Sequence, residues 1–111
     1  MTRIALIAFL ALGLASAAHA EGNAENGKQK SQPCAACHGA DGNKTLDAQY
    51  PRLAGQYADY LARSLQEYKS GHRKNAIMAG FATTLSDQDI EDLSAFFASQ
   101  DGELKDLSHY K

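Results

Sequence analysis

Two cysteines and a histidine lie within five residues of the chain, at Cys34, Cys37 and His38. No other cysteine occurs in the sequence. Two thiols at this spacing can form a disulfide, contribute half of a zinc site, act as a redox dithiol or attach a haem. The rest of the chain has to decide among these four kinds of chemistry.

Three of the four alternatives fit the sequence poorly. A structural zinc site needs four ligands, usually in two pairs, and neither His72 nor His109 pairs with another ligand at finger spacing. A redox dithiol needs a strand followed by a helix, but the chain has no strand pattern. A disulfide between Cys34 and Cys37 would close a very short loop, which stabilises a fold least in the chain-entropy account.

Haem attachment accounts for all three residues at once. In the pattern C-x-x-C-H, each thiol adds to one haem vinyl group, and the following histidine becomes an axial ligand of the iron. We therefore expect Cys34 and Cys37 to form thioethers and His38 to bind the iron. A single copy of the pattern predicts one covalent haem c.

Met78 is the main candidate for the second axial ligand. It is the only methionine outside the first residue, and His/Met ligation is a known arrangement of haem iron in electron carriers. The alternatives are that Met78 is an ordinary core residue, or that His72 or His109 binds the iron instead.

Residues 1–20 have the order of a secretory signal. Arg3 precedes an apolar run over residues 4–14, and small residues lead to Ala18 and Ala20 in an A-x-A pattern. The run is shorter than the roughly 20 residues that a membrane span needs, although an uncleaved anchor is the alternative. We expect cleavage after Ala20, export to the periplasm, no membrane span in the mature chain and a single domain over residues 21–111.

The remaining pattern is helical throughout, so the predicted fold class is all-α. We expect a short helix over residues 23–31, a loop over 39–52, a helix over 56–70, an ordered loop over 72–85 and a final helix from Ser86 to Gly102, with a polar tail from about 103. The apolar positions of the two longer helices follow the spacing of one buried face. These positions are Tyr57, Tyr60, Leu61, Ser64, Leu65 and Tyr68 in the first, and Ile90, Leu93, Phe96 and Phe97 in the second.

The charge of the chain limits its partners. It has 11 Lys and Arg against 13 Asp and Glu, for a net charge of −2, so nucleic acid is not an expected partner. Lys69, Arg73 and Lys74 cluster just before Met78. They form either a docking rim for a redox partner or a solvated helix end.

Several stretches together resemble a known family. They are CAACHGADG at 34–42, YPRLAGQ at 50–56, YKSG at 68–71, Met78, and LSDQDI at 85–90 with Phe96 and Phe97. With them the chain is similar to a class I bacterial cytochrome c with one haem, of the cytochrome c-553 or cytochrome c4 type.

The resemblance implies a fold and further site residues. The first and last helices are expected to cross beside the haem, with Gly27 permitting their close approach. The Pro51 carbonyl would accept the ring N–H of His38, and Leu53 would line the haem face; the alternatives are a plain loop proline and a generic core leucine. Many relatives carry an aromatic residue at the place of Ser31, so the crossing should be looser or rely on Phe96 and Phe97.

The expected function is that of a soluble periplasmic one-electron carrier rather than an enzyme. The alternative is an electron-transfer subunit of a periplasmic dehydrogenase or another respiratory enzyme complex. A haem sensor or peroxidase with an open iron site is a third interpretation. Expected partners are redox proteins, namely a membrane oxidase, a quinol-oxidising complex or a periplasmic dehydrogenase, with the protein itself a monomer or weak homodimer.

Overall fold

The computed structural model describes residues 21–104, and this part of the chain is helical without strands. The predicted signal, residues 105–111 of the predicted tail and His109 lie outside the described residues. The five helices are α1 (Ala24–Lys30), α2 (Gln32–His38), α3 (Ala58–Ser70), α4 (Ala76–Ala82) and α5 (Asp87–Ala98). The all-α prediction is confirmed.

The first helix begins as predicted, but the cysteine stretch that follows is itself helical. The Asn23 side chain accepts a hydrogen bond from the Asn26 amide at 2.9 Å and so caps α1. Buried Ser31 ends α1 and begins α2, because its hydroxyl donates to the Lys28 carbonyl and its own carbonyl accepts from the Cys34 amide. Pro33 in the first turn of α2 is a helix-start signal that the sequence interpretation did not use.

The third helix ends where it was predicted to end. Gly71 follows it with a φ of 83°, the left-handed conformation that glycine adopts without steric cost. The predicted buried face is only partly correct. Leu61 is buried, whereas Tyr57 and Tyr60 are about half exposed.

The segment over residues 72–85 is not the irregular loop that the sequence suggested, because it contains α4. Its capping residue is Asn75, whose side chain accepts from the Met78 amide at 3.0 Å. The helix has seven residues, too few for a hydrophobic period to be recognised in the sequence.

The final helix has the predicted start and the predicted buried face. Ser86 and Asp89 bond to each other's backbone amides in a capping box. The helix ends at Ala98, earlier than the predicted Gly102. Its four predicted apolar positions, Ile90, Leu93, Phe96 and Phe97, are all buried.

The crossing of α1 and α5 depends on the glycine expected there. A Cβ atom added at Gly27 would overlap the Asp92 carbonyl and lie 2.7 Å from the Phe96 Cβ atom. Ser31 brings no aromatic ring to this crossing, and on α5 the Phe96 and Phe97 rings lie with centroids 5.0 Å apart.

A buried carboxylate also joins the two crossing helices. Asp92 is 1% exposed and accepts hydrogen bonds from the Asn23 amide, the Lys30 ammonium and the Gln88 side chain, at 2.7 to 2.8 Å. The Lys30 ammonium also pairs with Asp89 at 2.8 Å. These bonds hold the pKa of Asp92 below its usual range and lower that of Asp89 to about 2, with Lys30 the main cause in both.

Candidate haem site

Helix α2 brings the three residues of the C-x-x-C-H pattern to one side. In a helix, positions i, i+3 and i+4 share a face, so Cys34, Cys37 and His38 point in related directions. His38 is buried, while both cysteines are half-buried. Burial raises the pKa of the Cys34 thiol and so favours its neutral form.

The ring of His38 is held from behind by one hydrogen bond. Its Nδ1 atom lies 2.8 Å from the carbonyl oxygen of Pro51. A carbonyl can only accept, so Nδ1 carries the proton, and in the neutral ring Nε2 then keeps its lone pair. A neutral imidazole with its far nitrogen unprotonated is the form that binds a metal ion.

The loop after α2 supports this histidine through its backbone and one aromatic ring. The Leu46 amide donates to the Cys37 carbonyl at 2.9 Å. The Tyr50 ring meets the His38 ring edge-on, with centroids 6.3 Å apart. Sequence reasoning did not assign a role to Tyr50, although it stands directly before Pro51.

Leu53 and Cys34 meet at the core. Both pack against the cluster of Leu61, Leu93, Phe96 and Phe97. The Leu53 amide donates to the Gly42 carbonyl at 2.9 Å, which fixes its place in the loop. The motif cysteine nearest the N-terminus therefore lies against the same apolar cluster as the leucine that was expected to line the haem.

Met78 stands on a different helix from the other candidates. It is half-buried on α4, which packs on α3 alone among the described helices. Within residues 21–104, the backbone of the cysteine helix α2 approaches only that of α1, although the Cys34 side chain reaches the core cluster. The backbones of the two helices that carry candidate iron ligands therefore do not approach each other.

The residues fit a covalent haem. Two thiols at helical spacing, an imidazole with a free Nε2 and a thioether are the donors that such a group uses. In addition, three apolar side chains are exposed, namely Ile77 and Phe81 on α4 and Leu46 in the loop after α2. A large apolar group bound against them would remove their surface from water.

The competing ligand His72 is placed differently. It is exposed at the end of α3, with its Nδ1 atom 3.0 Å from the Ser70 hydroxyl. Within residues 21–104, no three His, Cys, Asp or Glu side chains gather in a way that would hold a metal ion, so a zinc site finds no support there.

Comparison with known proteins identifies the family. The model of the family described as cytochrome c matches residues 24–101. The chain belongs to the cytochrome c family. This family carries c-type haem bound covalently, and the single C-x-x-C-H pattern means that this cytochrome c has one.

Three similar proteins are cytochromes from bacteria. Cytochrome c4 of Pseudomonas aeruginosa is 45% identical over 100 residues, covering 90% of this chain and 49% of that protein. Cytochrome c-554(548) of Halomonas halodenitrificans is 45% identical over 83 residues, covering 72% of this chain and 99% of that protein. The crystal structure of reduced cytochrome c4 from Pseudomonas stutzeri matches 74% of this chain and 47% of its own, at 44% identity and a TM-score of 0.70.

The extent of these matches limits which properties of the relatives can be assigned to this chain. The chain spans about half the length of the cytochrome c4 relatives. A shorter match, 44% identical over 62 residues, is to a thiosulfate dehydrogenase electron acceptor of Stutzerimonas stutzeri, covering 56% of this chain and 29% of that protein. In the described part of the chain, no helix has the length and hydropathy needed to cross a membrane.

Proposed function

We propose that this cytochrome c is a periplasmic one-electron carrier in which His38 and Met78 are the axial ligands of the iron. Cys34 and Cys37 form the thioethers, and Pro51 and Leu53 contact or orient the bound group. When bound, the haem supplies a one-electron couple between ferric and ferrous iron. Each of these residues then has a separate role in attaching, ligating or orienting the haem.

The hydrogen bond between His38 and Pro51 is the observation that carries the proposal. It fixes the tautomer and the direction of the imidazole before any metal is considered. An ordinary buried histidine also needs a partner for one nitrogen, but here the histidine follows a C-x-x-C pattern and points its other nitrogen away from that partner. The combination supports ligation more strongly than either feature does alone.

The assignment of Met78 rests on a different argument. It is the only methionine in residues 21–111, and it is half-buried on α4, which packs on α3. A thioether donates weakly to iron and favours the ferrous state, which raises the reduction potential. With both axial positions filled, the protein needs no substrate site at the metal, as a carrier requires.

The proposed location and partners follow from the predicted export signal and from the relatives. The signal over residues 1–20 would place a mature chain of residues 21–111 in the periplasm, as a monomer or weak homodimer. Its partners would be redox proteins. The match to the electron acceptor of a thiosulfate dehydrogenase favours one alternative, in which this chain is the electron-transfer subunit of a periplasmic enzyme complex.

Mass spectrometry of the native protein tests the covalent attachment and the export signal together. After extraction with acidic organic solvent, haem should remain with a polypeptide of residues 21–111. An apoprotein mass with a disulfide between Cys34 and Cys37 would contradict the proposal. Co-purification with a larger enzyme would favour the complex subunit over the free carrier.

The variant Met78→Ala tests the second ligand. It should keep the covalent haem and lose the weak long-wavelength band of methionine-bound ferric haem. The potential should fall, because water or a nitrogen ligand favours ferric iron. His72→Ala is the matched control and should change neither quantity. If Met78→Ala leaves the band and the potential unchanged, Met78 is not the ligand.

Carbon monoxide separates a carrier from a sensor or peroxidase. Ferrous wild-type protein at neutral pH should bind it slowly or not at all, while exchanging electrons quickly with small redox dyes. Rapid binding would indicate an open iron site and contradict the carrier proposal.

A further inference from the structure

In the segment that carries Met78, Ala82 is buried and Leu85 packs against the core cluster, while most of the other residues are exposed. This segment, residues 72–85, is called the strap here. Its helix α4 packs only on α3 among the described helices, and most of its residues are exposed. Such a segment is expected to open locally at a lower free energy than the crossing of α1 and α5.

Lys69 holds the end of the strap. From the last turn of α3, its ammonium donates to the Leu85 carbonyl at 2.6 Å, and it lies 3.9 Å from the Asp87 carboxylate. The side chain of Lys69 is only 33% exposed, so its stem lies along the protein rather than in water. The bond joins α3 to the last residue of the strap.

Arg73 holds the beginning of the strap. Its guanidinium donates to the Ser64 hydroxyl at 3.1 Å and lies over the Tyr68 ring, 5.0 Å from the centroid. Its backbone amide also donates to the Glu67 carbonyl at 3.1 Å. The chain is thereby folded back onto α3 directly before α4 begins.

From this arrangement we infer that Lys69 and Arg73 are positioning residues that clamp the strap to α3 at its two ends, and so hold Met78 at the iron. The last clause rests on the proposed function. Two of the three cations that the sequence grouped before Met78 thus have partners inside the protein. Lys74 differs from them, because its side chain makes no hydrogen bond or ion pair within residues 21–104.

The difference between Lys69 and Lys74 supplies a matched pair of variants. Lys69→Met keeps the apolar stem and removes the donor, Lys69→Arg restores a donor and a charge, and Lys74→Met removes an equal charge from the same region. Each is made in the full haem-bound protein. A hydrogen bond from a charged group contributes enough that its loss should make local opening about tenfold more frequent.

Hydrogen exchange of the α4 amides tests the clamp without reference to the iron. Exchange over Ala76–Ala82 should become about tenfold faster in Lys69→Met, return to within about twofold of wild type in Lys69→Arg, and stay unchanged in Lys74→Met. Arg73→Leu should act in the same direction as Lys69→Met. Unchanged exchange in Lys69→Met, or equal acceleration in Lys74→Met, would overturn the clamp.

Imidazole binding to the ferric protein then tests the link to Met78. If Met78 is the ligand, Lys69→Met should bind imidazole about tenfold more tightly than wild type, with loss of the methionine band, because exogenous ligands enter when the strap opens. Faster exchange with unchanged imidazole affinity would support the clamp and contradict Met78 ligation. Unchanged exchange with an intact methionine band would contradict the clamp alone.

Discussion

The crossing of α1 and α5 and the pair of helices α2 and α4 show two ways of holding a small protein together. At the crossing, protein contacts protein through Gly27, Phe96 and the buried carboxylate of Asp92. Among the described helices, the backbone of α2 approaches only α1 and that of α4 only α3, and further support comes from the hydrogen bonds of His38 with the Pro51 carbonyl and of Lys69 with the Leu85 carbonyl. The crossing is therefore stabilised by packing, whereas the positions of the candidate iron ligands depend on a few polar contacts.

The largest expected effect comes from adding one methyl group at the crossing. Gly27→Ala should lower the free energy of unfolding by about 3 kcal/mol, because the new atom overlaps the α5 backbone, which cannot yield as a side chain can. Denaturant unfolding followed by circular dichroism measures this. Gly80→Ala on α4 is the control, since an added Cβ there meets no described atom within 4 Å. An equal loss in both variants would remove the distinction between the two regions.

Loss of the buried carboxylate should be the next largest effect. Asp92→Ala leaves the Asn23 amide and the Lys30 ammonium without their shared acceptor, and should lower the free energy of unfolding by about 2 kcal/mol. The folded variant should keep its methionine band, because Asp92 contacts the crossing and not the strap. A variant as stable as wild type would show that the charge contributes nothing to the crossing.

Acid should weaken the crossing through Asp89, with a smaller effect because this carboxylate is partly exposed. Its pKa is lowered to about 2 in the fold, below the usual 3.8, chiefly by Lys30. A depressed pKa stabilises the fold above the unfolded value and loses that contribution as the pH falls from about 4 through about 2. The stability difference between wild type and Asp89→Asn should therefore shrink over that range in thermal unfolding. A difference that does not vary with pH would contradict the assignment.

The two helix caps offer a direct comparison at about 1 kcal/mol each. Ser86→Ala removes the cap of α5 and should lower the global free energy of unfolding. Asn75→Ala removes the cap of α4 and should mainly speed hydrogen exchange in that helix, since α4 opens locally. If both variants change global stability equally, the strap does not open separately.

The smallest effect is expected at Ser94. Its hydroxyl is buried on α5 and, within residues 21–104, makes no hydrogen bond. Ser94→Ala removes a polar atom without breaking a bond, so stability should change by less than about 0.5 kcal/mol or increase. A loss of 1 kcal/mol or more in denaturant unfolding would mean that the hydroxyl has a partner in the haem-bound protein.

Much of this architecture was predictable because the signals are local. Asn23 and Ser86 are side chains that cap helices within three residues, and Gly71 stops one directly. The two missed helices, α2 and α4, have seven residues each. Neither is long enough to show a hydrophobic period, although Pro33 and Asn75 are start signals that could have identified them.

The haem cofactor was predictable because its attachment pattern is local, whereas the individual site residues stay predictions. The spacing of Cys34, Cys37 and His38 indicates haem attachment whatever the fold, and the family match agrees with it. The role of the Pro51 carbonyl as acceptor for His38 could be expected only from the family resemblance. Every residue has a backbone oxygen, so the sequence alone does not show which one accepts this hydrogen bond. Tyr50 and Lys69 gained their roles only when the distances were known.

By itself, the sequence determined the covalent chemistry and the helical class, since both follow from residue types at short spacing. Tertiary structure alone decided the roles of Asp92 and of Lys69. From the sequence alone, Asp92 would be interpreted as an ordinary polar position on α5, but the fold places it against the Asn23 amide, 69 residues away. From the sequence alone, Lys69 would be interpreted as a surface cation, but the fold places the Leu85 carbonyl within hydrogen-bond distance of it. Burial and hydrogen bonding at such separations depend on how helices pack, and no local pattern records that packing.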